Sequence, residues 1–273
     1  MKRKARAPAK LNLALVVGPR REDGRHEVAT VLQRLELADE ITIEPAPELR
    51  VGGFEEDTLV RAALEMLATA ATPEERWKAT IRKQIPVAAG LGGGSSDAAT
   101  ALRLANETLP EPLSPAALHE LAAGLGADVP FFLAPGPQLG EGAGTELTPL
   151  DLPQDYWAVL VLPPGESKSS TADVYAAFDA REGEQGYPER RAVLDEELAR
   201  VREPSDLAAL PLNDLASSPL AAELLAQGAF RADVTGAGPT VYGLFEQREQ
   251  AVTAERELRR HGQTWMSAPA WYG

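Results

Sequence analysis

Cysteine is absent from the 273-residue chain, which removes disulfide scaffolds, thiolate metal sites and thiolate nucleophiles from consideration. Histidine is nearly absent: His26, His119 and His261 are the three present, spaced too widely to suggest a zinc cluster. Positive charge is in deficit, with 27 Lys and Arg against 41 Asp and Glu for a net −14. A nucleic-acid partner normally requires the opposite, a broad basic surface. Long apolar runs are missing too, since nothing approaches the roughly eighteen residues of a membrane helix. The opening MKRKARAPAKLNLALVVG has too short an apolar part for a signal peptide, is broken by Lys10 and Asn12, and is followed by no small-residue cleavage site. It reads as a strand, and the protein is expected in the cytoplasm, with no membrane and no nucleic acid as partner. No tract is of low complexity, and an apolar content of 44% suits a soluble globular protein long enough for one large domain or two.

What charge there is has a pattern. Residues 1 to 34 hold nine Lys or Arg against three acidic residues, a local +6 that leaves about −20 over the remainder. A basic strip inside an acidic protein draws an anionic ligand to one face. Lys2, Arg3, Lys4 and Arg6, at the very start, read as a solvated basic tail.

The stretch around which the chain is organised is PVAAGLGGGSSDAAT, Pro86 to Thr100. Gly90, Gly92, Gly93 and Gly94 fall within five positions, directly before Ser95 and Ser96 and an alanine-rich helical run from Asp97 to Leu109. Glycine loses more backbone freedom on folding than any other residue, so this clustering calls for a compensating role. An anion supplies one: the backbone approaches it closely, successive N–H groups form a nest, and a helix capped by Ser95 and Ser96 points its positive end at the same spot. A Walker A loop would need Lys then Ser or Thr after the last glycine, and a dinucleotide fingerprint would need an acidic residue about twenty positions on. Neither fits.

Around this loop, strands are expected over Lys10 to Val17, Glu27 to Leu37, Glu40 to Pro45 and Thr80 to Ile85, with a charged turn over Gly18 to Arg25. A helix over Thr58 to Ala71 follows Asp57 as N-cap, and another follows Ser114 and Pro115 with the stripe Leu118, Leu121, Ala122 and Leu125. Pro135 to Gly144 reads as a loop, with a domain boundary near residue 150. Beyond it, Tyr156 to Leu162 reads as a strand, followed by polar Ser167 to Thr171. Helices come next at Asp173 to Ala180, Glu189 to Arg202 and Pro219 to Gln227. Strands Phe230 to Thr235 and Thr240 to Phe245 flank the turn Gly236-Ala237-Gly238-Pro239. A helix over Glu249 to Arg260 ending at Gly262 leads to a closing strand, Thr264 to Ser267.

Three segments thus carry glycine or charge in a fixed order: PAKLNLAL at Pro8 to Leu15, the loop at Pro86 to Thr100, and VTGAGPTVYGLF at Val234 to Phe245. Together they resemble the three motifs of the GHMP kinases, the superfamily of galactokinase, homoserine kinase and mevalonate kinase. The run R-E-D-G-x-H at Arg21 to His26 and L-G-A-D-V-P-F-F at Leu125 to Phe132 resemble, more narrowly, the branch that acts on a cytidine-diphosphate-linked methylerythritol in non-mevalonate isoprenoid synthesis. The resemblance implies an α+β fold of two domains. These are an N-terminal nucleotide-binding domain over 1–150 and a C-terminal ferredoxin-like α/β sandwich over 151–273.

It also implies ATP-dependent transfer of the γ-phosphoryl group to the tertiary 2-hydroxyl of that acceptor. On the matching motifs Asp128 is the general base and Lys10 its partner, while Asn12 and His26 contact the acceptor. Pro86, Gly90, Leu91, Gly92, Gly93, Gly94, Ser95 and Ser96 form the ATP loop; Lys83 just before it reads either as a nucleotide contact or as an exposed strand residue. Phosphoryl transfer depends on positioning and charge stabilisation more than on covalent help, which suits such a set. Taken alone, Asp128 reads first as a cap or turn residue and Lys10 as a solvated strand lysine, while the Gly236–Gly238 turn reads equally as an ordinary hairpin; the motifs turn these toward chemistry. Gly236, Ala237 and Gly238 let the second domain's backbone approach the phosphates and the acceptor.

In two places the chain departs from the family pattern. Relatives usually have an aromatic residue before the motif histidine, stacked on cytosine; here it is Arg25, whose guanidinium plane stacks on a base in its place. Tyr175, after Thr171, matches the second aromatic of that sandwich. Thr58 stands where relatives often carry an Asn touching adenine, which implies a weaker or water-mediated contact. Magnesium is implied by the reaction, with ligands unknown. The competing readings are another kinase of the superfamily, such as a homoserine kinase, and a catalytically silent nucleotide-binding protein.

Overall fold

The computed structural model describes residues 1–71, 74–165 and 170–270. Strands β1 (Arg3–Arg20) and β2 (His26–Pro45) pair antiparallel along nearly their whole length. The expected charged turn is therefore shorter, confined to the residues between Arg20 and His26 and closed by Arg21 N–H to Arg25 O at 2.7 Å. Lys4 and Arg6 belong to β1 rather than to a tail; Lys4 pairs with Glu40 at 2.8 Å. The two strands expected over Glu27 to Pro45 are one, because the irregular interval around Leu37 bulges instead of turning and Ala38 resumes pairing opposite Pro8. Register shifts at Pro8/Lys10 and Asn12/Ala14 bracket Lys10 and Asn12. Bulges of this kind re-aim side chains out of the regular alternation.

Next come β3 (Arg50–Gly52), α1 (Leu59–Ala70) and β4 (Trp77–Arg82). Asp57 does the capping expected of it: its carboxylate accepts from Val60 N–H at 3.1 Å and Arg61 N–H at 3.2 Å. Strand β4 ends at Arg82 rather than Ile85, and alternates Trp77, Ala79 and Ile81 inward. Helix α2 (Gly93–Asn106) is buried on nearly every side from Ser96 onward, as expected of a helix whose small alanines let neighbours pack around it. Helix α3 (Pro115–Leu125) has the predicted cap, Ser114 Oγ accepting from Ala117 N–H at 3.2 Å. A 3₁₀ turn over Pro130–Leu133 follows.

The loop expected at Pro135 to Gly144 contains a strand, β5 (Gln138–Glu141), which pairs with both β2 and β6 (Glu146–Pro149). Glycine and proline marked the ends of that segment and concealed the short Gln-Leu-Gly-Glu ladder. The first sheet thus runs β3-β4-β2-β5-β6, with β1 also on β2. Its inner face packs on α1, α2 and α3 through residues such as Ile41, Trp77, Leu102 and Phe131.

The second sheet draws on β7 (Trp157–Leu162), β8 (Arg231–Val234), β9 (Val241–Phe245) and β10 (Gln263–Ser267), in the antiparallel order β10-β7-β9-β8. Between and after these strands lie α4 (Thr171–Ala180), α5 (Tyr187–Leu198), α6 (Leu220–Ala226) and α7 (Arg248–Leu258). Residues 167–169 of the polar stretch before α4 lie outside the described residues. Leu11 and Leu13 of β1 share one apolar cluster with Leu160, Tyr242 and Leu244 of the second sheet. The two sheets are therefore joined through β1, the strand that also carries Lys10 and Asn12. Among the described residues no helix is long and apolar enough to cross a membrane.

Candidate active site

The glycine-rich loop enters α2 four residues earlier than expected. The helix begins at Gly93 with Gly92 as its N-cap, at φ 70°, and the first intrahelical bond runs from Ser96 N–H to Gly92 O at 2.9 Å. Ser95 and Ser96 are therefore in the first turn and cap nothing; left-handed Gly92 stops the chain where a serine was expected to. The amides of Gly93, Gly94 and Ser95 precede that first bond and remain available at the positive end of the helix. Ser96 Oγ is fully buried without a hydrogen-bond partner.

The glycines are also required by packing. A Cβ on Gly90 (φ 81°) would stand 2.5 Å from Thr235 O and 2.8 Å from Gly238 O, and one on Gly92 would stand 2.9 Å from Lys10 Cγ and 3.0 Å from Phe132 Cζ. Close approach to a ligand thus accounts for only part of the motif: two of its glycines admit the turn of the second sheet and the strand carrying Lys10. Thr240 N–H to Ala89 O at 3.3 Å and Lys10 N–H to Leu91 O at 2.9 Å complete the junction.

Lys10 is 3% exposed, yet its ammonium lies 3.6 Å from Asp128 Oδ2, which is half open to solvent. Asn12 holds that ammonium from below. Its Oδ1 accepts from Lys10 Nζ and from Thr235 Oγ, and its Nδ2 donates to Thr30 Oγ at 2.8 Å. The Asn12 amide is thus already engaged within the protein. Asp128 sits just before the 3₁₀ turn, which Arg34 ties down: its guanidinium donates to the carbonyls of Phe131, at 2.6 Å, and Ala134 and lies over the Phe131 ring. Burial, with Arg103 adding to it, lowers the Arg34 pKa to about 10.

Lys83 is clasped by two buried carboxylates, Asp39 and, at 2.8 Å, Asp97. Burial opposes its charge, but Asp97 and Asp39 outweigh that and raise its pKa. One ammonium cannot neutralise two carboxylates, and burial followed by the Asp39 charge pushes Asp97 up to about 7. Asp39 also accepts from the backbone amides of Gln84 and Ile85, fixing the entry to the loop. Sequence reasoning missed both: Asp39 lies in an ordinary strand pattern and Asp97 in an ordinary first helical turn, and the only available hint was an acidic residue inside each apolar run.

One cavity of about 780 Å³ is lined by Lys10, Asn12, Arg25, His26, Lys83, Pro86, the loop from Gly90 to Ser95, Asp128, Thr171, Tyr175, Gly236 and Ala237. Thr58, Ser96 and Gly238 do not line it: Thr58 is exposed at the start of α1 beside the lining residues Asp57 and Leu59, and Gly238 packs behind Gly90. Phe54, Val87 and Arg20, not anticipated, do. Arg25 is exposed, its guanidinium 3.9 Å from Asp23 Oδ2. Tyr175 stacks on His26, with centroids 4.7 Å apart, and its pKa is pushed up to about 12 by burial and then by Asp128.

The models for the GHMP kinases N terminal domain and the GHMP kinases C terminal match residues 58–136 and 215–264. A 4-diphosphocytidyl-2-C-methyl-D-erythritol kinase of Geobacter sulfurreducens is 38% identical, covering 96% of each chain. The chain belongs to the GHMP kinases. Another relative of the same name, from Geobacter metallireducens, is 40% identical over 93% of this GHMP kinase. A crystal structure of a 4-(cytidine 5'-diphospho)-2C-methyl-D-erythritol kinase superposes with a TM-score of 0.79 at 32% identity, covering 98% of this chain. A homoserine kinase from Cytophaga hutchinsonii superposes at 0.75 with 15% identity, which establishes the shared fold alone. This GHMP kinase is accordingly an ATP-dependent small-molecule kinase. Its residues suit the nucleotide: the α2 amides and Lys83 offer donors to phosphate, and the orphaned Ser96 Oγ adds an unsatisfied polar atom beneath them. Among the described residues no group of three or more His, Asp or Glu side chains is placed to hold a metal.

Proposed function

We propose that the protein phosphorylates the 2-hydroxyl of 4-diphosphocytidyl-2-C-methyl-D-erythritol with ATP, in non-mevalonate isoprenoid precursor synthesis in the cytoplasm. The observation that carries this is the meeting, in one cavity, of the α2 N-terminus with the Lys10–Asp128 pair at 3.6 Å. In this reading the amides of Gly93, Gly94 and Ser95 hold phosphate oxygens, as helix N-termini do. Asp128 accepts the proton of the acceptor hydroxyl while Lys10, kept in place by Asn12, counters charge on the transferring group. Magnesium would come with ATP itself and would offset charge on its phosphates, since among the described residues no carboxylate cluster is placed to hold it. His26, Arg25, Thr171 and Tyr175 line the same cavity, and in this reading they meet the cytidine. Asn12 acts through Lys10 rather than on the acceptor, and the unit boundary falls near residue 150.

The test is acceptor-dependent ATP turnover by the wild type and Asp128→Asn, with homoserine as a competing acceptor. Loss of the base should lower kcat by at least about 100-fold while the melting temperature holds. Turnover by Asp128→Asn within a few-fold of wild type removes that role. Phosphorylation of homoserine but not of the cytidine diphosphate compound overturns the choice of acceptor.

A further inference from the structure

Helix α4 buries little. Phe178 is its one fully buried side chain, and its two outer flanks are exposed. What its inner face touches is His26. Tyr175, Phe178 and Asp179 stand at i, i+3 and i+4, the spacing that brings side chains to one side of a helix, and all three meet that imidazole. Tyr175 stacks on it at 4.7 Å and 24°, Phe178 meets it edge-on at 5.9 Å and 88°, and Asp179 Oδ1 lies 2.7 Å from Nε2. Asp179 is itself fixed from β1, since Arg20 donates to Oδ2 through Nε at 3.1 Å and through a terminal nitrogen at 2.8 Å. Hydrogen bonds from His26 and then Arg20 hold its carboxyl below the usual range.

We propose that Asp179 is a positioning residue that sets the tautomer of His26 and thereby makes this kinase prefer cytosine to uracil in its acceptor. This rests on the acceptor proposed above. An ionised carboxylate only accepts hydrogen bonds, so the ring nitrogen facing it must carry a proton. Nε2–H therefore points at Asp179, an arrangement that in the uncharged imidazole leaves Nδ1 as an acceptor. Nδ1 has no hydrogen-bond partner among the described residues, and His26 lines the cavity. Cytosine presents an exocyclic amino donor where uracil presents a carbonyl acceptor. A lone pair at Nδ1 meets the first and opposes the second. Stacked on Tyr175, met edge-on by Phe178 and bonded at Nε2, the ring is held against turning to offer Nε2–H instead.

The experiment measures kcat/KM of wild type, Asp179→Asn and Asp179→Ala for the cytidine-diphosphate-linked acceptor and its uridine counterpart. The Asn amide can donate or accept, so it permits either tautomer. The cytidine-to-uridine ratio should fall about tenfold in both variants, while the KM for ATP stays within about twofold. An unchanged ratio in the variants, even with an altered acceptor KM or melting temperature, makes Asp179 a mere clip between α4 and β1 and overturns the proposal. In the unmutated protein, two-bond ¹H–¹⁵N spectra should show His26 protonated at Nε2; protonation at Nδ1 overturns it equally. A wild type that phosphorylates neither compound overturns the functional proposal, and this inference with it.

Discussion

The loop glycines serve two different purposes, and substituting them one at a time separates the two. Gly90→Ala puts a methyl 2.5 Å from Thr235 O and 2.8 Å from Gly238 O, at φ 81°. The left-handed backbone costs about 1–2 kcal/mol for a residue with a Cβ, and forcing the two backbones apart costs about 1–3 kcal/mol more. The sum, about 2–5 kcal/mol, corresponds to a fall in melting temperature of roughly 5–15 °C for a chain of this size. Gly94 is the control: its Cβ would meet only Leu59 Cδ1 at 3.4 Å, within helical backbone. Gly94→Ala should therefore leave stability unchanged or raise it by up to about 1 kcal/mol. Gly94 is exposed on the cavity wall, however, and a methyl there keeps phosphate from the amides. The KM for ATP should rise roughly tenfold, about 1.4 kcal/mol. Thermal melts and initial rates on both variants decide the matter. Gly90→Ala melting within a degree or two of wild type, or Gly94→Ala losing as much as Gly90→Ala, refutes the division.

Two further perturbations follow. Asp97 has a folded pKa near 7 against 3.8 unfolded, so the fold holds a proton that the unfolded chain has released. Its contribution to stability therefore declines as pH rises from about 4 to 7 and is lost above that range; melts of Asp97→Asn across those values should lack this component, and an identical profile would contradict it. Arg34→Met leaves the carbonyls of Phe131 and Ala134 without their donor, at a cost of about 2–3 kcal/mol. It should lower kcat more than the KM for ATP, because the loop it releases carries Asp128; steady-state kinetics with a melting control checks this.

The parts of the site that were legible in the sequence are local. A glycine cluster before an alanine run announces a helix N-terminus, and Ser114-Pro115 announces a cap, because the responsible bonds span three or four residues. Ser95 and Ser96 misled for the same reason: good capping residues lose to a left-handed glycine placed just before them. The ladder at Gln138–Glu141 was hidden because glycine and proline mark its ends, and only part of its pairing is to the neighbouring β6; the rest is to β2, more than a hundred residues away.

The chain's order of residues alone determined its class, the glycine cluster at the start of α2, the lack of any thiol and the membership of Lys10, His26 and Asp128 in recognisable motifs. Tertiary structure alone decided that Asp39 and Asp97 share Lys83, that Thr235 holds the Asn12 amide which engages Lys10, and that Asp179 meets His26 across 153 positions of sequence. Local propensity encodes bonds a few residues long. A buried charge is stable only beside partners that folding brings to it, and Asp39 and Lys83, 44 positions apart, share no local window of sequence.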